Sequence, residues 1–128
     1  MIKGKVTTRP ATAEEVRMFY PDGLKQSIRA WVGVCQDTII GMGGYLMTPN
    51  GHTCLLYPRR DISISKRAIW EGIKKVFFDN ILPSTQAQLN AIQDKTECNS
   101  EKLLYMLGFD KVYKTKEGEQ VFIYYGER

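Results

Sequence analysis

Residues 100–109 read Ser-Glu-Lys-Leu-Leu-Tyr-Met-Leu-Gly-Phe, which is the pattern of a helix that ends at a glycine. Asn99 is a suitable N-cap, because its side chain can accept a hydrogen bond from a first-turn amide. Gly108 suits the left-handed position after the last turn, and Phe109 can pack back on the helix. The stretch therefore predicts a helix over residues 100–107. One face of that helix is apolar and carries Leu103, Leu104 and Leu107.

A second apolar face occupies residues 66–79, where hydrophobic positions recur at i, i+1, i+4, i+7 and i+8. An earlier helix is predicted over residues 13–20. Thr12 is a good N-cap for it, and Glu14 and Glu15 lie in the first turn, where the helix dipole favours carboxylates. The apolar face of the 66–79 helix consists of Ile69, Trp70, Ile73, Val76 and Phe77.

The remaining stretches rich in apolar and β-branched residues predict strands bounded by turn residues. Arg9 and Pro10 are expected to end the first strand. The element order is then β-α-β-β-β-α-β-α-β-β, which predicts an α+β fold built on a mixed α/β sheet. The predicted strands are residues 2–8, 30–35, 38–47, 53–57, 87–92, 111–114 and 120–125.

The length and composition predict one globular domain, residues 1–128, with 43% hydrophobic and 25% charged residues. No apolar run approaches the roughly 20 residues of a membrane span, and the start of the chain lacks the pattern of a signal peptide. Three widely spaced cysteines argue against a disulfide framework, and His52 is the single histidine, so no metal site is expected. We expect a cytoplasmic protein that does not bind membranes.

The positive charge is concentrated in one segment. Residues 59–75 carry six basic and two acidic side chains. The difference between them, +4, equals the net charge of the whole chain. Such a patch favours an anionic partner, although a solvated helix face is an equally good interpretation. Nucleic acid is a weaker prediction, because the segment also carries Asp61 and Glu71 and lacks interleaved exposed aromatic residues.

Three segments resemble the GNAT-type N-acyltransferases, which take an acyl group from acyl-CoA. Residues 8–15, with Arg9-Pro10-Ala11-Thr12, resemble the family's turn between its first strand and first helix. Residues 31–44 resemble its second and third strands, with Ile40-Gly41 followed by a glycine-rich strand. Residues 100–109 match most closely the family's late helix, a Ser-x-x-Leu-Leu-x-x-Leu-Gly-Phe pattern. The resemblance implies the GNAT fold, acetyl-CoA as co-substrate and an amine acceptor.

The resemblance also implies where CoA would bind. The pantetheine arm would lie along the backbone of residues 55–57, beside Leu56 and Tyr57. The family's small-residue phosphate loop maps to residues 61–66, but Asp61, Ile64 and Lys66 stand at its defining positions. An acidic side chain is unfavourable there, and Ile64 is expected to restrict approach to the backbone. Side chains would then hold the phosphates instead: Arg59, Arg60, Ser63, Ser65, Lys66 and Arg67.

The residues at the proton-transfer positions are the second departure from the family's pattern. The position of the family's general-acid tyrosine holds Leu104, and Tyr105 next to it points about 100° away on a helix. The family's asparagine at the start of this segment maps to Glu97. Tyr105 and His52 are the candidate catalytic residues, and His52 can titrate near neutral pH. For His52, an ordinary surface position remains the competing interpretation.

Two functions stay open from the sequence. One is an acetyl-CoA-dependent N-acetyltransferase acting on a protein or small-molecule amine. It needs no protein nucleophile, and Cys54 is most simply a core residue. The other is a GNAT-fold binding module that has lost CoA and binds a protein partner, because the eroded phosphate loop resembles the small diverged GNAT-like proteins of phages. Such a protein would act in the host cytoplasm.

Overall fold

The computed structural model describes residues 1–23, 26–49, 51–92 and 100–125, and its elements follow the predicted order. The strands are β1 (Thr7–Pro10), β2 (Ile28–Cys35), β3 (Thr38–Thr48), β4 (Gly51–Pro58), β5 (Leu89–Ile92), β6 (Phe109–Lys114) and β7 (Gln120–Tyr124). The helices are α1 (Ala13–Phe19), α2 (Lys66–Lys74), a π-helical segment (Lys75–Ile81), α3 (Leu82–Ser84) and α4 (Ser100–Leu107).

The strands form one seven-stranded mixed sheet in the order β1-β2-β3-β4-β5-β7-β6. β1 to β4 are antiparallel neighbours, β4 and β5 are parallel, and β7 pairs antiparallel with both β5 and β6. The α+β class with a mixed sheet is therefore confirmed. The prediction of three consecutive antiparallel strands within residues 30–57 is also confirmed.

The first strand was predicted in the wrong place. It covers Thr7–Pro10 rather than residues 2–8, and Pro10 pairs with Trp31 instead of ending the strand. Proline is tolerated here because β1 is an edge strand with no neighbour on its outer side. Nearer the amino terminus, Ile2 forms an isolated parallel bridge to Ile64, the residue just before α2.

The long helix begins as predicted at Lys66, and Ser65 caps it by accepting a hydrogen bond from Ala68 N–H at 3.1 Å. It does not stay α-helical to residue 79, because the turns widen into the π-helical segment after Lys74. Asn80 accounts for part of this change. Its Nδ2 donates to Lys75 O at 3.3 Å and to Thr8 Oγ1 at 3.1 Å, which ties the widened turn to β1.

Helices cover both faces of the sheet. α2, the π-helical segment and α4 lie on one face, where they build the larger core cluster. α4 buries Leu104 and Leu107 as predicted, and Gly108 follows it with φ of +107°. α1 lies on the opposite face, where Tyr20 at its end meets Tyr57 of β4 at 5.6 Å between ring centroids.

None of the described helices is long and apolar enough to cross a bilayer. The predicted N-cap Asn99 lies outside the described residues.

The glycines of the central strands give a paired stability test. A Cβ added at Gly44 would overlap Arg29 O and come within 2.8 Å of Ala30 Cα, so β2 and β3 would have to separate. A Cβ at Gly33 meets its nearest side chains at an ordinary 3.6 Å. We expect Gly44→Ala to destabilise the fold by about 1–3 kcal/mol. Gly33→Ala should be neutral or stabilise by about 0.4–1 kcal/mol. Urea unfolding measures both, and equal losses would contradict the close approach of β2 and β3.

A second prediction concerns acid stability. Arg9 donates two hydrogen bonds, of 2.7 and 2.6 Å, to the Glu15 carboxylate, which also accepts one from Thr12 N–H. The Arg9 bonds are the main reason that the pKa of Glu15 falls to about 2 from its usual 4.5. A lowered pKa stabilises the folded state above pH 4.5, and this contribution is lost as the pH falls from 4.5 towards 2. Unfolding midpoints across this range should therefore fall less steeply in Glu15→Gln than in the wild type. The matched control is Glu14→Gln, which should keep the wild-type slope.

Candidate functional site

Among the residues that the structure describes, β4 and β5 are joined over two residue pairs, His52 with Leu89 and Thr53 with Asn90. Beyond them β5 stays with β7 through Ala91 and Ile92, whereas residues 54–58 of β4 stay with β3. A gap therefore opens between β4 and β5 from Cys54 onward. We call this gap the wedge, and its closed end at Thr53 and Asn90 the apex.

One backbone amide of β4 points into the wedge. His52 donates its N–H to Gln88 O at 2.9 Å, on the β5 side, whereas Arg59 donates to Ile40 O at 2.8 Å, on the β3 side. Because alternate residues of a strand direct their backbone groups to the same side, Cys54 and Leu56 also face β5. The parallel pair of Thr53 with Asn90 uses Cys54 N–H as its donor to β5, so the amide that faces the wedge is that of Leu56. The sequence did not indicate Leu56 as an amide donor, since the direction of a backbone group depends on which strand becomes its partner.

The face of β4 under α2 offers no room for a large ligand. Leu56 packs into the larger core cluster, and beside it lies an apolar cavity of about 30 Å³, bounded by Met42, Ile69 and Ile73 among others. Ligand sites usually measure about 300–1,000 Å³. Tyr57 projects to the other face and is 39% exposed. This cavity is too small for a CoA-sized ligand, whereas the wedge runs along β4 between Leu56 on one face and Tyr57 on the other.

Arg59 is already paired with Asp61. Two hydrogen bonds, of 3.0 and 2.6 Å, join the guanidinium to the Asp61 carboxylate and lower the pKa of that carboxyl group. Arg59 also donates to Ile39 O at 3.2 Å. The negative charge that seemed unfavourable beside a phosphate is thus compensated within the loop, and Arg59 has less capacity left for a ligand.

The loop before α2 is held by the amino-terminal segment. Ile2 N–H donates to Ser63 O, and Ser65 N–H donates to Ile2 O, both at 2.8 Å. The Ser65 hydroxyl caps α2, so both polar groups of this predicted ligand residue have partners within the chain. Ile64 is 9% exposed and belongs to the smaller core cluster. Its side chain therefore does not cover the loop backbone, contrary to expectation.

The excess positive charge lies at the start and on the exposed side of α2. Glu71 pairs with Lys75 at 3.1 Å, and Lys74 Nζ lies 5.4 Å from the centre of the Trp70 ring. Lys66 and Arg67 occupy the first turn of α2, which contains no acidic residue. Cations are unfavourable at this positive end of a helix, so an anion bound here would relieve a repulsion. Four basic residues of this segment are exposed: Arg60, Lys66, Arg67 and Lys74.

His52 lies at the closed end of the sheet, on the α2 face. Its ring stacks on Tyr45 with centroids 4.5 Å apart, and its Nδ1 is 2.6 Å from Thr85 Oγ1. Tyr45 in turn bonds Ser84 through its hydroxyl at 2.7 Å. These contacts tie β3 and β4 to the end of α3.

Tyr105 lies in separate surroundings on α4. Its ring packs edge-on to Phe122 at 5.7 Å, its hydroxyl donates to Glu101 at 3.2 Å, and the residue is 46% exposed. Desolvation, with a smaller effect of Glu101, raises the pKa of its phenol, so Tyr105 stays protonated at neutral pH. Leu104 is buried in the core, as the helical spacing predicted. Glu97 lies outside the described residues.

Cys54 is not placed to act as a nucleophile. Burial raises the pKa of its thiol to about 12, and the thiolate is the reactive form. Within the described part of the chain, no group of three or more His, Cys, Asp or Glu residues could hold a metal ion.

No protein-family model and no curated protein matches the sequence. Solved structures do match the fold. The ribosomal-protein-S18-alanine N-acetyltransferase of Escherichia coli superposes with a TM-score of 0.62 at 10% identity, over 93% of this chain and 90% of that one. The N-acetyltransferase PseH of Campylobacter jejuni gives 0.59 at 13% identity, over 92% and 96%.

A GNAT family acetyltransferase from Elizabethkingia anophelis, solved with acetyl-CoA bound, gives a TM-score of 0.58 at 13% identity, over 94% of this chain and 96% of that one. Each comparison spans nearly the full length of both chains. At these identities it establishes architecture. The chain has the fold of the GNAT N-acetyltransferases.

Proposed function

We propose that this protein is an acetyl-CoA-dependent N-acetyltransferase that acts on an amine of a protein or a small molecule. The observation that carries the proposal is the wedge, into which Leu56 directs its backbone amide. An extended ligand that contains amide groups can add to β4 there as an extra strand would. The pantetheine arm of CoA is such a ligand, and one structural neighbour holds acetyl-CoA.

The phosphates of CoA would lie at the mouth of the wedge, where β4 leads into α2. Lys66 and Arg67 are exposed in the first turn of α2, and Arg60 is exposed in the preceding loop. Ser63 is also exposed and can donate through its hydroxyl. Ser65 contributes indirectly, because its hydroxyl holds the first turn of α2 in place. Charged side chains thus substitute for the backbone cradle of a glycine-rich loop.

In the proposed reaction the acceptor nitrogen attacks the thioester carbonyl. A C–N bond forms, the C–S bond breaks, the CoA thiolate leaves, and the nitrogen loses a proton. Tyr105 and His52 remain the predicted proton-transfer residues, and both lie on the α2 face of the sheet, where they would serve the leaving thiolate. The described residues of β4 contain no carboxylate, so we expect the transfer to be slow.

A second candidate is a binding module without acyl transfer. The observation that favours it is the hydrogen bond from Ser65 N–H to Ile2 O, since the amino-terminal segment already occupies an amide of the loop that would face the phosphates. In this case the wedge or the basic start of α2 would contact a protein partner. The two candidates differ in one measurable property, the affinity for acetyl-CoA.

Acetyl-CoA binding tests the proposed function. Titration calorimetry gives the dissociation constant. A thermal melt at 100 times that concentration should then show a stabilisation of about 2.7 kcal/mol, which raises the Tm by roughly 10 °C. Mass spectrometry of candidate protein and small-molecule amines should detect slow acetylation. No binding at millimolar acetyl-CoA would reject the acetyltransferase, and binding to a partner protein would then support the second candidate.

A double substitution tests the phosphate contacts. Lys66→Ala with Arg67→Ala should weaken acetyl-CoA binding at least tenfold, since a hydrogen bond to a charged group contributes about 1.5–3 kcal/mol. The salt dependence of binding should flatten as well. Binding of S-acetyl-pantetheine, which lacks the diphosphate, should not change. The control is Lys114→Ala with Lys116→Ala, which removes the same charge from the β6–β7 hairpin. Equal effects of both pairs would show a general charge effect and no site.

A further inference from the structure

The apex limits how far a ligand can enter the wedge, a conclusion that rests on the proposed function. β4 and β5 are hydrogen-bonded partners at Thr53 and Asn90, so nothing can pass between the strands beyond this pair. A pantetheine arm that enters from the open end must therefore finish beside Thr53 and Cys54. The reactive thioester is the far end of that arm, so the chemistry takes place at the apex.

The α2 face of the apex is closed to an acceptor. Cys54 is 7% exposed, and Leu89 and Ala91 on β5 are 2% and 3% exposed. All three belong to the larger core cluster, which also contains Phe77 and Ile81, neither of them exposed. An amine cannot reach the thioester through this packed layer. It has to approach from the opposite face of the sheet, the face of α1.

The α1 face of the apex carries a pair of polar side chains. Thr53 Oγ1 donates a hydrogen bond to Asn90 Oδ1 at 2.8 Å, and both residues are partly exposed. The amide of Asn90 is turned so that its Nδ2 faces Gly51, away from the wedge. The hydroxyl proton of Thr53 is thus committed to Asn90, and the lone pairs of Oγ1 remain available to accept. Beyond this pair, Leu55 and the exposed Ile92 make the same face apolar.

We propose that Thr53 Oγ1 accepts an N–H hydrogen bond from the incoming acceptor amine and so directs the nitrogen lone pair towards the thioester carbonyl. Asn90 acts as a positioning residue, because its Oδ1 holds the Thr53 hydroxyl proton and keeps Oγ1 an acceptor. The site is uncharged and has apolar neighbours, so it takes a neutral primary amine. Neither residue stands out in the sequence, since the pair forms only where β4 and β5 meet.

The test compares steady-state kinetics of Thr53→Val and Thr53→Ser with the wild type. The probe acceptors are n-butylamine and a set of peptides with each of the twenty residues at a free amino terminus. Acetylated product is measured by mass spectrometry at saturating acetyl-CoA. With the best acceptor, Thr53→Val should raise the KM for the amine about tenfold and change kcat less than threefold. Thr53→Ser keeps the hydroxyl and should restore the KM to within threefold of the wild type.

Two further variants separate positioning from structure. Asn90→Ala should raise the KM for the amine by a smaller factor than Thr53→Val, because the hydroxyl remains but loses its fixed direction. Thr48→Val removes a hydroxyl that bonds Gly51 O at 2.6 Å in the β3–β4 turn, and should leave the KM unchanged. In Thr53→Val the dissociation constant of acetyl-CoA should stay within twofold of the wild type, and the Tm should not change.

The outcomes distinguish this inference from the proposed function. If the wild type binds no acetyl-CoA or acetylates none of the probe amines, the proposed function fails and this inference fails with it. If the wild type is active and Thr53→Val keeps its KM for the amine, the inference alone is overturned. It is also overturned if the KM, the acetyl-CoA affinity and the Tm all change together in Thr53→Val, since Thr53 would then only hold β4 to β5.

Discussion

The short pairing of β4 with β5 is the constraint on which the rest of this structure depends. Two register pairs join the halves of the sheet, and each strand then stays with its other neighbour, β3 or β7. The core cluster beneath the gap is filled by Cys54, Phe77 and Phe122, so the halves cannot close by packing together more tightly. The wedge is therefore a stable feature of the packing.

The fold could be predicted from the sequence where short-range patterns decide it. The apolar spacing from Ile69 to Phe77 depends only on helical geometry, and so does the stop at Gly108. The prediction was wrong where a contact with a residue distant in sequence determines the local structure. Pro10 continues a strand because Trp31 lies beside it, and the π-helical turns are tied to Thr8, 72 residues before Asn80. No local pattern contains that information.

The candidate site, like the fold, could be predicted from the sequence only in part. The concentration of basic residues before and within α2 was evident from composition, because charge does not depend on fold. The partners of those residues were not evident. Asp61 compensates Arg59, Glu71 compensates Lys75, and the Ser65 hydroxyl caps a helix. The wedge-facing amide of Leu56 and the Thr53–Asn90 pair were missed, since both follow from strand register, which a single sequence does not specify.

The loop before α2 differs from a glycine-rich phosphate loop in both its stability and its capacity to bind a ligand. Ile64 buries its side chain in the smaller core cluster, and Ser65 N–H bonds the chain itself, so the loop is stabilised without a ligand. A cradle of backbone amides would be rigid and would lose little entropy on binding a phosphate. Lys66 and Arg67 are exposed, flexible and strongly hydrated, so they lose rotamer freedom on binding, and salt screens their attraction. This exchange favours folding stability over ligand affinity. In the proposed function the wedge, rather than the phosphate contacts, would then determine how the thioester is positioned.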